Sequence, residues 1–486
     1  MLKRLVIVIF IMFGAFLSFS LYRTFAYDTS VVEEVPSTTD LEYTFKIGNS
    51  SIKQITVDSG ETRYYDIVLG NPNNAKISYS VYYEMVSPSS KPDDYKIEYT
   101  SKSTGESTGI VNNNGNITLN IVVTNTSSNA VTVKVGTVAG YVKGGELTLN
   151  SGQEVIPKKV FPKATYVVEH LDDGTTGDSG SGVYKITHSA IPAESSATGS
   201  EIPAVTDYRY YGPRPNNYIC LDMEGSSTCP DKHLYKIIGS IYEELEGTNR
   251  IKVIKASLIT DGKTNGFSWD YKSDGTYDNI WATPTNGNYS NSLTSGSQLM
   301  KLLNSGAWWN GTSGSYYNES TTATIVNFTN YKLSDKAKSY ITTSRYYLGG
   351  PTGNVVNTTT MYGRERGTAR YDNNRPLYWD GYVGLMYPSD YGYAAGNSCA
   401  TGTNLSDYDD SNCYRKDWLF NSSSWQWLMS PRSGDSGGAF DVYSSGCVSG
   451  DDNVYRAYSA RPVFYLNSSA SISEGEGTSA APYILS

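Results

Sequence analysis

The chain has 486 residues, more than one hydrophobic core serves, so two or three domains are expected. Only 38% of residues are hydrophobic even with 42 tyrosines counted, so aliphatics are scarce, and Tyr, Asn, Ser, Thr and Gly fill their place in a mixture that favours β-structure with many loops. A formal net charge of −9 and the lack of a basic stripe exclude nucleic acid as a partner, and the acidity is read as solubility.

Lys3 and Arg4 precede an apolar run from Leu5 to Tyr22, and Arg23 follows it. Residues 1–27 are therefore expected to act in export, as a signal peptide or a signal anchor, with the positive charges kept inside. Thr24-Phe25-Ala26 suits cleavage, while the run sits near the lower limit for a bilayer core of ~30 Å, so both readings stand. In either case the rest of the chain is expected outside the cell, anchored or secreted, and residues 28–40 form a polar stalk.

Over residues 41–139 the pattern alternates. Tyr43–Ile47, Ile52–Val57, Arg63–Leu69, Lys76–Tyr83, Tyr95–Tyr99, Ile117–Thr124 and Ala130–Val138 are seven short runs separated by turn residues. They predict an all-β sandwich of immunoglobulin-like type, without its intersheet cysteine pair, in the role of a spacer or interaction module. Residues 140–204 are rich in Ser, Gly and Thr and predict a flexible connector with one short helix over Ala164–Leu171.

Residues 205–486 predict an α+β domain. Tyr218–Leu221, Leu234–Tyr242 and Arg250–Leu258 read as strands, the last two as a hairpin. Ser297–Asn304 and Leu333–Ile341 read as short helices, the second capped by Ser334. A long aromatic, loop-rich middle follows. Trp425–Leu466 closes the domain as strand, turn, strand, turn, strand, with the outer runs central and Ala439–Tyr443 facing solvent on one side.

Several segments carry a resemblance: Tyr208-Arg-Tyr-Tyr-Gly-Pro-Arg-Pro-Asn-Asn-Tyr218, Leu234-Tyr-Lys-Ile-Ile-Gly239, Leu385-Met-Tyr-Pro-Ser-Asp390, Trp427-Leu-Met-Ser-Pro431 and Ala460-Arg-Pro-Val-Phe-Tyr-Leu466. With them the C-terminal half resembles uncharacterised secreted proteins of Gram-positive bacteria that end in a domain of unknown function. That group is similar in turn to the C-type-lectin-like fold of formylglycine-generating enzymes and bacterial variable binding proteins. The resemblance implies a scaffold for residues 205–486 and no settled activity. The residues for its usual chemistries are missing: only Cys447 lies where two active-site cysteines belong, the three histidines are unpaired in sequence, and the lectins' calcium motifs do not occur.

Five cysteines fit export. Cys220 with Cys229, and Cys399 with Cys413, are close enough to close small loops, although sequence does not fix the pairing, and Cys447 is left over. Gly434-Asp-Ser-Gly-Gly438 matches the nucleophile loop of trypsin-like proteases, but none of His170, His188 and His233 stands in a matching context, so a glycine-rich turn is the stronger reading. Asp270-Tyr-Lys-Ser-Asp-Gly-Thr-Tyr-Asp278 follows part of a calcium-loop spacing, with Lys272 and Trp281 at ligand positions, and Asp407, Asp409 and Asp410 form a second acidic loop. Both read first as solvated turns, and calcium is the one cofactor they leave open.

Doubled aromatics among Gly, Asn and Ser make good contact surfaces. Half of these rings are expected in the core, and Trp309, Tyr317, Tyr347, Trp379 and Tyr391 are the candidate ligand contacts. The expectation is an exported surface protein that binds a glycan or a surface protein through aromatic loops. The alternatives are a structural matrix protein and, less favoured, a hydrolase using the Gly-Asp-Ser-Gly-Gly turn.

Overall fold

The computed structural model describes residues 41–47, 54–100, 105–142, 146–172, 174–259, 266–283 and 293–486. The export segment, the stalk and the first residues of the run at Ile52 lie outside the described residues. The fold is mostly β, 39% strand against 14% helix, in several sheets of which none closes. The described residues form two compact units, divided between Val160 and Phe161.

The first unit is a β-sandwich. One sheet has the order β1 (Thr44–Ile47), β3 (Glu61–Asn71), β7 (Gly115–Asn125), β5 (Tyr95–Tyr99). The other runs β2 (Gln54–Val57), β8 (Val131–Tyr141), β4 (Ile77–Ser87), β6 (Thr108–Val111), with β9 (Gln153–Val155) also on β4. Alternation builds the core: Ile67 and Leu69, Leu119, Ile121 and Val123, Val81 and Tyr83, and Val131, Val133 and Val135 all point inward and are buried. Two short strands, β6 and β9, extend the seven expected. They were missed because neither Thr108–Val111 nor Gln153–Val155 alternates in polarity.

The expected flexible connector, 140–204, is corrected. Ile156 is fully buried in the sandwich core, and β9 pairs with Tyr82–Glu84. From residue 161 the chain belongs to the second unit. The helix Ala164–Glu169 buries Ala164 and Val168, and β10 (Gly182–His188) pairs with β11 (Val205–Tyr211) along seven residues. Ser and Gly suggested a linker, but partner strands outside the segment, β4 for β9 and β11 for β10, supply the burial that composition could not show.

The main sheet of the second unit has the order β10, β11, β13 (Leu234–Glu243), β12 (Tyr218–Cys220), then the strands Tyr483–Leu485 and Ile472–Glu474. β14 (Thr248–Lys255) joins β13 to the strand Val463–Tyr465. Strands near the end of the second unit thus complete the sheet that its first strands begin. The hairpin across 243–248 forms as predicted. Both short helices form too, as Gln298–Asn304 and Asp335–Ser339, with the Ser297 and Ser334 hydroxyls accepting from the backbone N–H of Met300 and Ala337.

The closing stretch differs from expectation. Gln426–Pro431, Gly438–Val442 and Val448–Asn453 make their own three-stranded sheet, and Val463–Tyr465 belongs to the main one. Gly438–Val442 is the central strand and is buried throughout rather than solvated on one face, because Trp427 and Tyr458 cover the side where Asp441 points.

Candidate functional site

A groove of about 430 Å³ opens along β10, an edge strand of the main sheet, where it continues as Ser189–Ile191. The helix Thr358–Glu365 forms the facing wall. Asn357 caps that helix, its side chain accepting from Thr360 N at 2.9 Å. Thr358, Met361, Tyr362 and Glu365 are the buried positions, an i, i+3, i+4, i+7 stripe against the core. Thr359 and Gly363, one turn apart on the other side, line the groove. Asn397 and Thr401 come from the helix Asn397–Gly402, which the Cys399–Cys413 disulfide ties to the next turn.

The floor is aromatic and charged. The His188 ring lies flat on Tyr362, centroids 3.6 Å apart at 6°, and Tyr393 meets it edge-on at 5.6 Å. The Arg366 guanidinium sits 3.5 Å from the centre of the same Tyr362 ring. His188 Nε2 is 3.0 Å from Asp207 Oδ2. Asp207 also accepts from Arg209 Nη2 at 2.9 Å and from Tyr242 N at 3.0 Å. Arg209 Nη1 reaches Asp390 Oδ1 at 2.8 Å, and Lys252 Nζ reaches Asp390 Oδ2 at 2.6 Å. Asp390 in turn caps the helix Pro388–Ala394 by accepting from Tyr387 N. All of these charged groups are buried. They form one alternating chain from β10 through β11 to β14.

The electrostatics follow from that pairing. Burial works against ionisation of Asp207, yet Arg209 and His188 hold its carboxyl below the usual carboxylate range. For Asp390 burial is likewise overcome, by Lys252 and Arg209, and the pKa is lowered. Burial lowers the pKa of His188 against the pull of Asp207 and so favours the neutral ring. A neutral imidazole beside a carboxylate donates through Nε2–H, which leaves Nδ1 as its remaining acceptor. Such a floor is fixed in place and presents ring edges, a histidine acceptor and hydroxyls: the equipment of a binding groove. Ser189, Thr187, Thr359 and Thr401 supply hydroxyls along it, and none hydrogen-bonds to His188 in the activated manner of a nucleophile.

The five aromatic candidates do not converge. Trp379 and Tyr391 are fully buried and Tyr347 nearly so, which corrects their reading as ligand contacts. Trp379 packs against Trp281 and Tyr346, the Tyr391 hydroxyl donates to Gly446 O at 2.8 Å, and the Tyr387 hydroxyl donates to Tyr347 O at 3.1 Å. In a chain poor in aliphatics these rings are the core. Trp309 is half-buried, stacked on Tyr382 with Lys338 above it, and Tyr317 is half-buried. Neither lines the groove.

The other motifs resolve geometrically. Gly434–Gly438 is a hairpin turn: Asp435 Oδ1 accepts from Gly437 N at 2.8 Å, and the Asn279 side chain ties down the carbonyls of Arg432, Asp435 and Gly438. Ser436 is exposed and bonded to none of the three histidines. In the loop at 270–278, Lys272 Nζ lies 3.5 Å from Asp270 and 2.9 Å from Asp278, so an ammonium fills the place a calcium ion would need. Asp407 accepts from Ser406 Oγ, Asp409 accepts from the backbone N–H of Asp410, and the three carboxylates do not converge. Both small-loop disulfides form, Cys220–Cys229 and Cys399–Cys413, with Cys447 free.

Sequence reading missed the groove's charged floor. The available signal was Asp207 and Arg209 at alternate positions of an aromatic strand, which places both on its inward face and demands partners. Comparison of the chain with protein-family models, curated proteins and solved structures gives no match.

Proposed function

We propose that this chain is an exported surface protein that binds an extended ligand, a glycan or a segment of a surface protein, in the groove between β10 and the helix Thr358–Glu365. The observation that carries the reading is an open groove whose aromatic floor is anchored on buried ion pairs, because a preformed site loses little entropy on binding. Two disulfides suit an oxidising compartment. Under this reading the first unit is an immunoglobulin-like spacer, and the second carries a C-type-lectin-like scaffold with its ligand on the sheet edge rather than on the loops.

Gly363 gives the test. A Cβ built there meets no atom within 4 Å, and Gly363 lies on the groove side of its helix, so Gly363→Trp directs its ring into the groove rather than the core. The oxidised protein is screened against immobilised glycans and surface-protein extracts. Saturable binding that Gly363→Trp abolishes and Trp309→Ala leaves intact is the expected result. Binding lost in Trp309→Ala and kept in Gly363→Trp moves the site off the groove, and no saturable binding by folded protein removes the binding function.

A further inference from the structure

Away from the groove, the Cys220–Cys229 disulfide closes a short loop that carries Asp222 and Glu224 and leads directly into His233. One donor atom from each of these three residues lies within 4.8 Å of the others. Among the described residues no other set of three such side chains comes together in this way. The histidine is the informative member. His233 is fully buried, and neither ring nitrogen has a hydrogen-bond partner. Its Nε2 points at Glu224 Oε1 from 3.2 Å, close enough to attract but misaligned for a hydrogen bond. A buried imidazole normally satisfies at least one nitrogen. This one is aimed into a pair of carboxylates instead.

We propose that Asp222, Glu224 and His233 bind a divalent cation of the zinc class. One nitrogen and two carboxylate oxygens suit zinc or cobalt, whereas calcium takes oxygen ligands alone. Two carboxylates neutralise the ion's charge. Each is already oriented by a neighbour: Ser334 Oγ donates to Asp222 Oδ2 at 2.6 Å, Glu224 N donates to Asp222 Oδ1 at 3.1 Å, and Lys232 Nζ holds Glu224 Oε2 at 2.8 Å. The Lys232 contact uses the Glu224 oxygen that faces away from the histidine. Glu224 is exposed, so an ion has a path in and a fourth, water-bound position. The site needs no cysteine, since both sulfurs of this loop are committed to the disulfide.

The test uses the full oxidised chain without an affinity tag. Cobalt(II) is titrated and followed by its visible absorption, then displaced with zinc, and melting is recorded with and without zinc. One equivalent of cobalt, displaced by zinc and not by calcium, is expected, with melting raised by zinc. His233→Gln should weaken cobalt binding by more than about 100-fold, beyond what loss of an outer neighbour does. Asp222→Asn, at a half-buried position, repeats the test if His233→Gln impairs folding. No bound cobalt, equal affinity in both variants, or displacement by calcium overturns the assignment.

Discussion

Glu365 lies fully buried beneath the groove, at the end of the helix whose other face lines it. Its two carboxyl oxygens accept from Ser389 N at 2.9 Å and Ser389 Oγ at 2.5 Å, and Arg366 Nη1 is 3.4 Å away. Burial pushes its pKa up to about 7, against the opposing pull of Arg366 and Ser389. The folded pKa therefore exceeds the unfolded one. The group's stabilisation is complete below pH ~4.5 and is lost as pH rises through about 7. At about 1.4 kcal/mol for each tenfold change in proton affinity, a carboxyl raised from 4.5 to about 7 loses about 3 kcal/mol by pH 8. Glu365→Gln keeps the shape and an acceptor for Ser389 N while removing the ionisation. The variant should match the parent near pH 5 and exceed it at pH 8 by about 2–3 kcal/mol, allowing about 1 kcal/mol for a weaker hydrogen bond. All eight tryptophans lie in the second unit, so urea unfolding followed by tryptophan fluorescence reports that unit alone. A variant less stable than the parent at pH 8 would refute the assignment of a buried, reluctantly ionised acid.

Asp390→Asn should act in the opposite sense. It leaves Arg209 and Lys252 buried without their shared carboxylate, a loss of about 3–5 kcal/mol in the same fluorescence assay. Because the folded pKa of Asp390 lies below its unfolded value, its contribution is present above pH ~4 and fades as pH falls, so the deficit should shrink in acid. A deficit unchanged from pH 7 to pH 3 would argue against the ion pairs. At the Gly-Asp-Ser-Gly-Gly turn, Asn279→Ala removes the side-chain donor shared by three carbonyls, of which Gly438 O keeps the Arg432 N–H, and should lower stability by about 1–3 kcal/mol, while Ser436→Ala stays within about 0.5 kcal/mol. Thermal melting of both variants checks this, and a larger effect at Ser436 would reverse the reading of that turn.

Legibility in the sequence tracked how local the cause was. Ser334 was readable as a cap because a cap involves neighbours three residues on, whereas Ser297, read as part of its helix, proves to be its cap. The β13–β14 hairpin was readable for the same reason. The connector was misread because β10 becomes a strand only against β11, and β9 only against β4. The groove is harder still: Arg209 and Asp390 are 181 residues apart, and Lys252 and Asp390 are 138. Nothing local ties them except that each charge sits where neighbouring residues are buried. Tyr347, Trp379 and Tyr391 were misread as contacts for a compositional reason. Ring-rich loops signal a contact surface only when aliphatics fill the core, and here Trp379, Tyr391 and Tyr346 occupy the positions that leucines would take.

The loop at 270–278 and the cluster of Asp222, Glu224 and His233 show why spacing alone misleads about cations. Asp270–Asp278 has the more suggestive sequence, yet its own lysine reaches both carboxylates, and Asp270 is further committed to the backbone N–H of Asp278 and Gln298. That loop carries its counter-charge within the chain, and an arriving ion would have to displace it. Asp222–His233 follows no metal motif. Its lysine engages one oxygen of one carboxylate, and a buried imidazole with no hydrogen-bond partner faces the other side. A bound cation would displace no lysine from between the carboxylates and would give the histidine the partner its burial demands. The difference lies in which polar atoms are already satisfied, a property of the folded chain that residue spacing does not encode.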